Sequence, residues 1–427
     1  MLEEKKGDPI RVAYITQWFT PEPAGPADWI ADSLLNDGFA VRTITAIPNY
    51  PAGVVYQGYR ASRVTREIIR NIPTLRCPVY PSHNQSAPSR ALNYLSFAAT
   101  SSWVGQRVLA SSDVALIYSS PATAAIPAMI AKRRSKLPYV LLIQDLWPDT
   151  VLQTEMLGSK KLRKLAEIIL GKLDKSSTSG ASHIIVISPG VKKALTSRGV
   201  PEYKITVMYN WINESILHPC ERRGDLRRRL SIPPGDFVFM YAGNHGAAQG
   251  LHAWIAAIEN VQDLTNLHFV FVGNGTEKIQ LVERVQSLNL RRVHFLESVE
   301  VDEFAVLAAD TDAQIISLKD APLFRITIPS KVQSSLAIQS AVIASVAGDA
   351  ASVLEDSGAG ILASPEDQFS IESAIRQAHT EGVDRLKQRG LAGRRYYLDH
   401  MSQDRGSATL SRTLRECVRI DSGGKGE

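Results

Sequence analysis

A chain of 427 residues, 44% hydrophobic and 21% charged, has enough apolar surface for two or three cores, which excludes a disordered protein. Its net charge of +5 is too mild for a nucleic-acid binder and suits an anionic ligand or an anionic membrane surface. Three scattered cysteines, Cys77, Cys220 and Cys417, exclude a disulfide scaffold and a cysteine-rich metal cluster, and fit a reducing compartment.

In chain order, the start MLEEKKGDPI lacks the apolar core of a signal peptide, and no apolar run is long enough to span a bilayer. A cytoplasmic protein is expected. Arg11–Gln17 reads as a first buried strand, followed by the turn Phe19–Pro26, a helix over Asp28–Asn36 and a strand at Ala40–Ala46. Further strands are predicted at Val114–Tyr118, Tyr139–Ile143 and His183–Ile187. Between them, the lysine-rich Lys160–Lys175 has helical periodicity and either packs on its own domain or lies on an anionic membrane surface. The segment Asn93–Val104, with Tyr94, Leu95, Phe97 and Trp103, is a candidate to meet a lipid-linked acceptor. After Asn210 the chain loosens into a link whose cluster Arg222–Arg229 reads as a solvated helix. A second series of strands follows at Phe237–Ala242, His268–Val272, Val293–Leu296, Ala313–Leu318 and Ala341–Ser345, and the tail Asp421–Glu427 reads as frayed. This βαβ alternation implies an α/β protein with two parallel sheets, each covered on both faces.

Two strands of the second series end in glycines, FVFMYAGNHGAAQG at Phe237–Gly250 and FVFVGNG at Phe269–Gly275. Glycine-rich turns between a parallel strand and a helix either cradle a phosphate or merely supply φ > 0. Asp310–Thr311–Asp312 imitates the D-x-D of metal-dependent transferases. It lies between a helical stretch and the strand Ala313–Leu318.

Taken together, TQWFTPEPAG, AIPNYPAGVVYQGYR, IYSSPATAA, IQDLWPDTVLQTEMLG, ASHIIVISPGVKKAL, MYNWINE, YAGNHGAAQGL, FVGNGTEK and IPSKVQSSLA occur in an order that covers nearly the whole chain. The series resembles glycosyltransferase family 4, in the bacterial surface-polysaccharide branch of the colanic-acid and fucosamine transferases. The resemblance implies the GT-B fold: two Rossmann-like domains facing a cleft, with a C-terminal helix crossing back. The acceptor domain is expected at 8–210 with the crossover at 394–420, and the donor domain at 211–393. Implied is a retaining, metal-independent transfer of sugar from a nucleotide diphosphate, UDP rather than GDP, to a glycan or lipid-linked acceptor. At Asp310–Thr311–Asp312 the family resemblance implies a structural aspartate and no metal. Neither a cofactor nor nucleic acid is expected, and peripheral contact with the inner membrane face is.

The donor site implied is Gly243, Asn244, His245, Gly246 and Gln249, with amides near His245 and Gly246 facing the diphosphate, plus Gly273, Asn274, Gly275, Ser330 and Ser334. Asn244 and Gln249 stand where many relatives have Arg and Lys. The charge then falls to Arg325 and Lys331, where a cation stabilises the departing diphosphate, and Ser330 either caps the following helix or meets a phosphate. Two glutamates usual in the family are replaced by Ile326 and Ser334, so ribose recognition is open, with Glu277 a candidate to assist. Asp145, matching a His near the reacting carbon, either supports the sugar's developing charge or caps a helix beside Pro148; Gln144 and Asp149 are alternatives. Pro23, Ala24, Gly25, Asn49 and Tyr50 are expected on the acceptor side. Two rival readings are a catalytically degraded homologue acting as a partner protein, and a sugar-nucleotide epimerase on the same fold.

Overall fold

The computed structural model describes residues 8–82, 86–147, 149 and 160–423. The Val151–Gly158 part of IQDLWPDTVLQTEMLG, Pro148 and the tail from Gly424 lie outside the described residues, so the expectations placed there have no structural counterpart. The chain divides into two compact units. One comprises Met1–Ile187, Val191–Met208 and Gly406–Glu427, the other Ser188–Gly190 and Tyr209–Arg405.

The first unit is an eight-stranded sheet in the order β3-β4-β2-β1-β5-β6-β7-β8. Its strands are β1 (Arg11–Ile15), β2 (Ala40–Ala46), β3 (Thr65–Ile69), β4 (Ile72–Cys77), β5 (Val114–Ser119), β6 (Tyr139–Ile143), β7 (His183–Val186) and β8 (Ile205–Val207). Every pairing is parallel except β3 with β4. The parallel sheet expected from the sequence is present, and β3 adds one antiparallel strand at its edge. The hairpin turns at Arg70 and Asn71, both at positive φ (51° and 64°), a geometry that matches the right-handed twist of its strands. The helix Gln403–Gly423 returns to this unit: Ser33 Oγ donates to Ser407 Oγ at 2.6 Å, Ser407 Oγ to Asp37 Oδ2 at 2.5 Å, and Arg415 lies over the Phe39 ring. Helix therefore continues through Gly423, where a frayed tail was expected from residue 421.

The second unit is a six-stranded, all-parallel sheet in the order β11-β10-β9-β12-β13-β14. Its strands are β9 (Phe237–Ala242), β10 (Leu267–Val272), β11 (Val293–Leu296), β12 (Ala313–Ser317), β13 (Val342–Ser345) and β14 (Gly360–Ala363). Period-two alternation sends Phe237, Phe239 and Tyr241 to one face, against Trp254, Ile255 and Ile258 of the Leu251–Asn260 helix. Val238 and Met240 pack on the other face. Each fully buried side chain of this size contributes roughly 1.5–3 kcal/mol. The order reverses between β9 and β12, and such a switch point opens a crevice at the carboxyl ends of the strands.

The arginine cluster after the link includes the helix Asp225–Leu230 and is exposed at Arg222, Arg223, Arg228 and Arg229, but Arg227 departs from the solvated helix expected. Arg227 is buried and donates to Asp312 Oδ2 at 2.9 Å and to the carbonyls of Asp310, Pro233, Pro234 and Asp236, while Arg222 donates to Asp312 Oδ1 at 2.7 Å. Asp310 accepts from the amides of Gly224 and Leu226. Buried carboxylates need such partners, so the D-x-D pair anchors the entering segment. Among the described residues no group of His, Cys, Asp and Glu could hold a metal ion, and no helix is long and apolar enough to cross a membrane.

Candidate functional site

At the switch point of the second unit a cavity of about 500 Å3 opens at the carboxyl ends of β9, β10 and β12. The two glycine turns approach each other too closely for side chains: a Cβ at Gly273, where φ is 132°, would stand 2.0 Å from the Gly243 carbonyl oxygen. The amide of His245 donates to Asn274 O at 2.8 Å, and the Glu277 amide donates to His245 O at 2.9 Å. The turns are therefore sewn together. The expectation that the His245 amide faces a ligand is corrected, because Asn274 takes that donor.

Lys331 enters the cavity from the first turn of the Ser330–Ala337 helix. Its Nζ donates to Tyr241 Oη at 2.7 Å and to Gln249 Oε1 at 2.8 Å, and lies 4.3 Å from the centre of the Tyr241 ring. The Tyr241 hydroxyl in turn donates to Asn244 O at 2.6 Å. Burial disfavours the ammonium form and lowers the Lys331 pKa to about 8. Beneath the loop, His245 is fully buried among Tyr241, Phe271 and Phe295. Burial, with repulsion from Lys278 and Lys331, lowers its pKa to about 4. A neutral imidazole thus supports the loop, and Lys331 is the only cation and no carboxylate is found among the cavity's lining residues.

Of the residues predicted for this site, Gly243, Asn244, Gly273, Asn274, Ser330, Lys331 and Ser334 line the cavity. His245, Gly246, Gln249 and Gly275 are not among its lining residues, although Gln249 holds the lysine. Arg325 does not line it: exposed, its Nε donates to Asp320 Oδ1 at 2.6 Å. Ser330 is not a cap, since the N-cap position is Pro329; its carbonyl accepts from Ser334 Oγ at 2.9 Å. Ile326 turns its carbonyl to Ser188 Oγ at 2.6 Å. Glu277 is outside the lining, and its Oε2 lies 3.8 Å from His252 Nε2. An apolar wall of Leu217, Val299, Val301 and Phe304, which the sequence did not single out, completes the cavity.

In the first unit Asp145 follows β6 and accepts from Ser120 Oγ, at the end of β5, at 2.5 Å. Asp149 is instead ion-paired with Arg198. The PEPAG turn and the Asn49–Tyr50 segment are joined by a residue missed in the sequence. Glu22 Oε1 accepts from the amides of Asn49 and Tyr50, both at 2.8 Å, and Oε2 from the Phe19 amide at 3.2 Å. Burial raises its pKa to about 7 against these three donors. Asn49 Oδ1 accepts from Asn93 Nδ2 at 3.1 Å, and Gln17 Nε2 donates to Asn93 Oδ1 at 2.6 Å. Beside this network runs an aromatic row, Tyr50–Trp18–Tyr94–Trp147, with neighbouring ring centres 5.2, 6.3 and 6.1 Å apart. Among the described residues, Gln17 Oε1 and Trp147 Nε1 are buried there without a hydrogen-bond partner. Pro23 is exposed, while Ala24 and Gly25 lead into the Pro26–Asn36 helix. The row's aromatic spacing, 18 to 147, is too scattered in sequence to announce itself.

Residues 27–211 match the Glycosyl transferase 4-like domain, and residues 222–395 match Glycosyl transferases group 1. WcaI of Escherichia coli (strain K12), assigned as a glycosyl transferase of colanic acid biosynthesis, is 27% identical over 377 residues, covering 84% of this chain and 90% of WcaI. Among solved structures, HepE of Anabaena in complex with UDP superposes with a TM-score of 0.70 at 15% identity, covering 95% of this chain and all of that one. The sucrose-phosphate synthase of Thermosynechococcus elongatus gives a TM-score of 0.68 at 16% identity, covering 96% and 100%. At such identities these structures establish the fold.

Proposed function

Because this chain belongs to the glycosyltransferases of family 4, with the GT-B fold, we propose that it moves a sugar, with retention and without a metal, from a uridine diphosphate donor to a hydroxyl of a lipid-linked glycan. The observation that carries the reading is Lys331, held by Tyr241 and Gln249 at the head of a helix and facing the glycine turns. An ammonium and a positive helix end there favour a diphosphate and stabilise it further as it departs. Solved relatives of the fold bind UDP and UDP-glucose. In the transfer, the bond from the anomeric carbon to the diphosphate oxygen breaks, and its electron pair goes to the diphosphate. The acceptor oxygen bonds to the same face of that carbon, and its proton passes to the departing phosphate oxygen. Asp145, oriented by Ser120, supports the positive charge on the sugar.

On the acceptor side, the row Tyr50–Trp18–Tyr94–Trp147 offers ring faces to a sugar, and the orphaned Gln17 Oε1 and Trp147 Nε1 offer it hydrogen bonds. The protein works at the inner membrane face, where Leu165, Ile168 and Ile169, exposed on the Lys160–Gly180 helix, meet lipid. Calorimetric titration tests the donor site: UDP is expected to bind, and Lys331→Ala to weaken it at least tenfold. Unchanged affinity in that variant removes Lys331 from the site. One observation favours the second reading, a catalytically degraded homologue: the cavity lining has one cation and no carboxylate, and Arg325 is tied to Asp320. Turnover of a UDP-sugar with a lipid-linked acceptor, lost in Asp145→Ala, decides against it; binding without turnover decides for it.

A further inference from the structure

A second cavity, of about 270 Å3, lies in the first unit beside the β3–β4 hairpin, at the junction of the Ala87–Val104 and Gln106–Ala110 helices. Pro73, Leu75, Val104 and Val108 give it an apolar floor, and three arginines, Arg42, Arg66 and Arg107, are among its lining residues. No Asp or Glu is among its lining residues. Arg42 donates to Ser111 Oγ at 2.9 Å, and among the described residues neither Arg66 nor Arg107 forms an ion pair. The contrast within the fold is plain, since Arg11, Arg70, Arg76, Arg198 and Arg227 each have a carboxylate. Three like charges around one apolar pocket repel each other, and an anion seated among them offsets that cost. Guanidinium groups match phosphate oxygens two at a time, which a point charge does not.

The surroundings narrow the source of the phosphate. Ile68 shares a strand face with Arg66 by period-two alternation, pairs in register with Pro73, and is 74% exposed. Trp103, next to the floor residue Val104, is 88% exposed. Large apolar side chains left in water beside cations are the composition of a membrane-interface contact, where tryptophan sits at headgroup level. We propose that this pocket binds the phosphate of an anionic phospholipid, with Ile68 and Trp103 entering the interface beside it. The inference rests on the membrane placement proposed above and gives it a specific anchor, apart from the transfer reaction.

The test is sedimentation of the full chain with vesicles of phosphatidylcholine alone and of phosphatidylcholine with phosphatidylglycerol. In parallel, calorimetric titration with inorganic phosphate is run with UDP in excess to occupy the other phosphate site. Sedimentation is expected only with the anionic vesicles, and to weaken as salt rises. Arg66→Gln with Arg107→Gln is expected to weaken it about thirty-fold, as for two cations at an anionic surface. Trp103→Ser, which leaves the charges in place, is expected to weaken it several-fold, and circular dichroism should match the parent for both variants. Undiminished sedimentation of the double variant overturns the pocket while leaving the membrane placement standing. No sedimentation of the parent chain overturns both. Inorganic phosphate bound by the parent and lost in the double variant, without vesicle binding, overturns the lipid and makes the pocket a soluble-phosphate site.

Discussion

A Cβ built on Gly243 stands 2.6 Å from Cε of Lys331, and the Gly243 backbone has φ 136°, a conformation in which side chains are strained. The glycine therefore makes room for the lysine, and the two form one element of the proposed donor site. Gly243→Ala should push the ammonium off Tyr241 and Gln249 and cost roughly 1–3 kcal/mol of stability. UDP affinity is expected to fall at least tenfold by calorimetry, with a melting temperature several degrees lower. Parent-like affinity in a variant with a lowered melting point would separate the glycine from ligand binding.

The Lys331 ammonium titrates near pH 8 because burial lowers it from the usual lysine range. It is charged below that pH and neutral above it. The terminal phosphate of UDP is already ionised there, since such groups lose their second proton near pH 6. Donor affinity should therefore fall as pH rises from 7 to 9.5, and UDP binding near pH 8 should take up protons. Stability of the free protein moves the other way. Its folded pKa lies below the unfolded one, so the unfolded chain holds more protons between about 8 and 10.5, and stability rises with pH across that window. Calorimetry in buffers of different ionisation enthalpy checks the proton uptake, and Lys331→Met should abolish both trends. A pH-independent affinity in the parent would show that another group supplies the charge.

Both glycine turns and most strands were legible because β-branched and aromatic runs ending in glycine carry a strong local signal. Phe237–Ala242 and Tyr139–Ile143 fall where the pattern places them. The β3–β4 hairpin was not, because its turn is Arg70–Asn71 rather than the Asn-Gly that announces such a hairpin. Lys331 could be singled out from the helix start IPSK. Its two partners, 90 and 82 residues away, could not, and neither could the Arg325–Asp320 pair that draws the second cation to the surface. Glu22 sits inside the turn Phe19–Pro26, of which Pro23, Ala24 and Gly25 were expected on the acceptor side. Only three-dimensional placement shows that three amides converge on its carboxylate.

Arg325 and Lys331 are separated by their surroundings, and a pair of variants reads out the difference. Arg325 is exposed and paired with Asp320, an arrangement of small net worth. Arg325→Ala should leave UDP affinity within about threefold of the parent, where Lys331→Ala loses at least tenfold. Equal losses in the two, measured in the same titration, would return Arg325 to the donor site.

With no carboxylate among the cavity's lining residues, the ribose of a nucleotide bound as proposed would meet neutral groups such as Ser334. A site built around a charged acceptor for a hydroxyl rejects the analogue lacking it far more strongly than a neutral one does. UDP and 2′-deoxy-UDP should therefore bind within about fivefold of each other by competition calorimetry. A preference of a hundredfold or more for UDP would reveal a carboxylate brought to the ribose by ligand binding.

Glu22 ties the PEPAG turn to the Asn49–Tyr50 segment, and burial raises its pKa to about 7. Since the folded value exceeds the unfolded one, the folded protein holds the extra proton between about pH 4.5 and 7. This contribution to stability is fully present below the unfolded pKa and is lost as pH rises through 7. Its full size is about 3 kcal/mol, taking 1.36 kcal/mol per unit. Denaturant unfolding of the parent should therefore show stability falling from pH 5 to 8. Glu22→Gln keeps an accepting oxygen but cannot ionise, so its unfolding should lack that slope. The amide also turns an N–H toward backbone donors that Glu22 Oε2 or Oε1 now accepts, so the variant should be about 1–3 kcal/mol less stable at pH 5. A parent whose stability climbs from pH 5 to 8, with the climb removed in the variant, would mean that the three amides outweigh burial and hold Glu22 ionised.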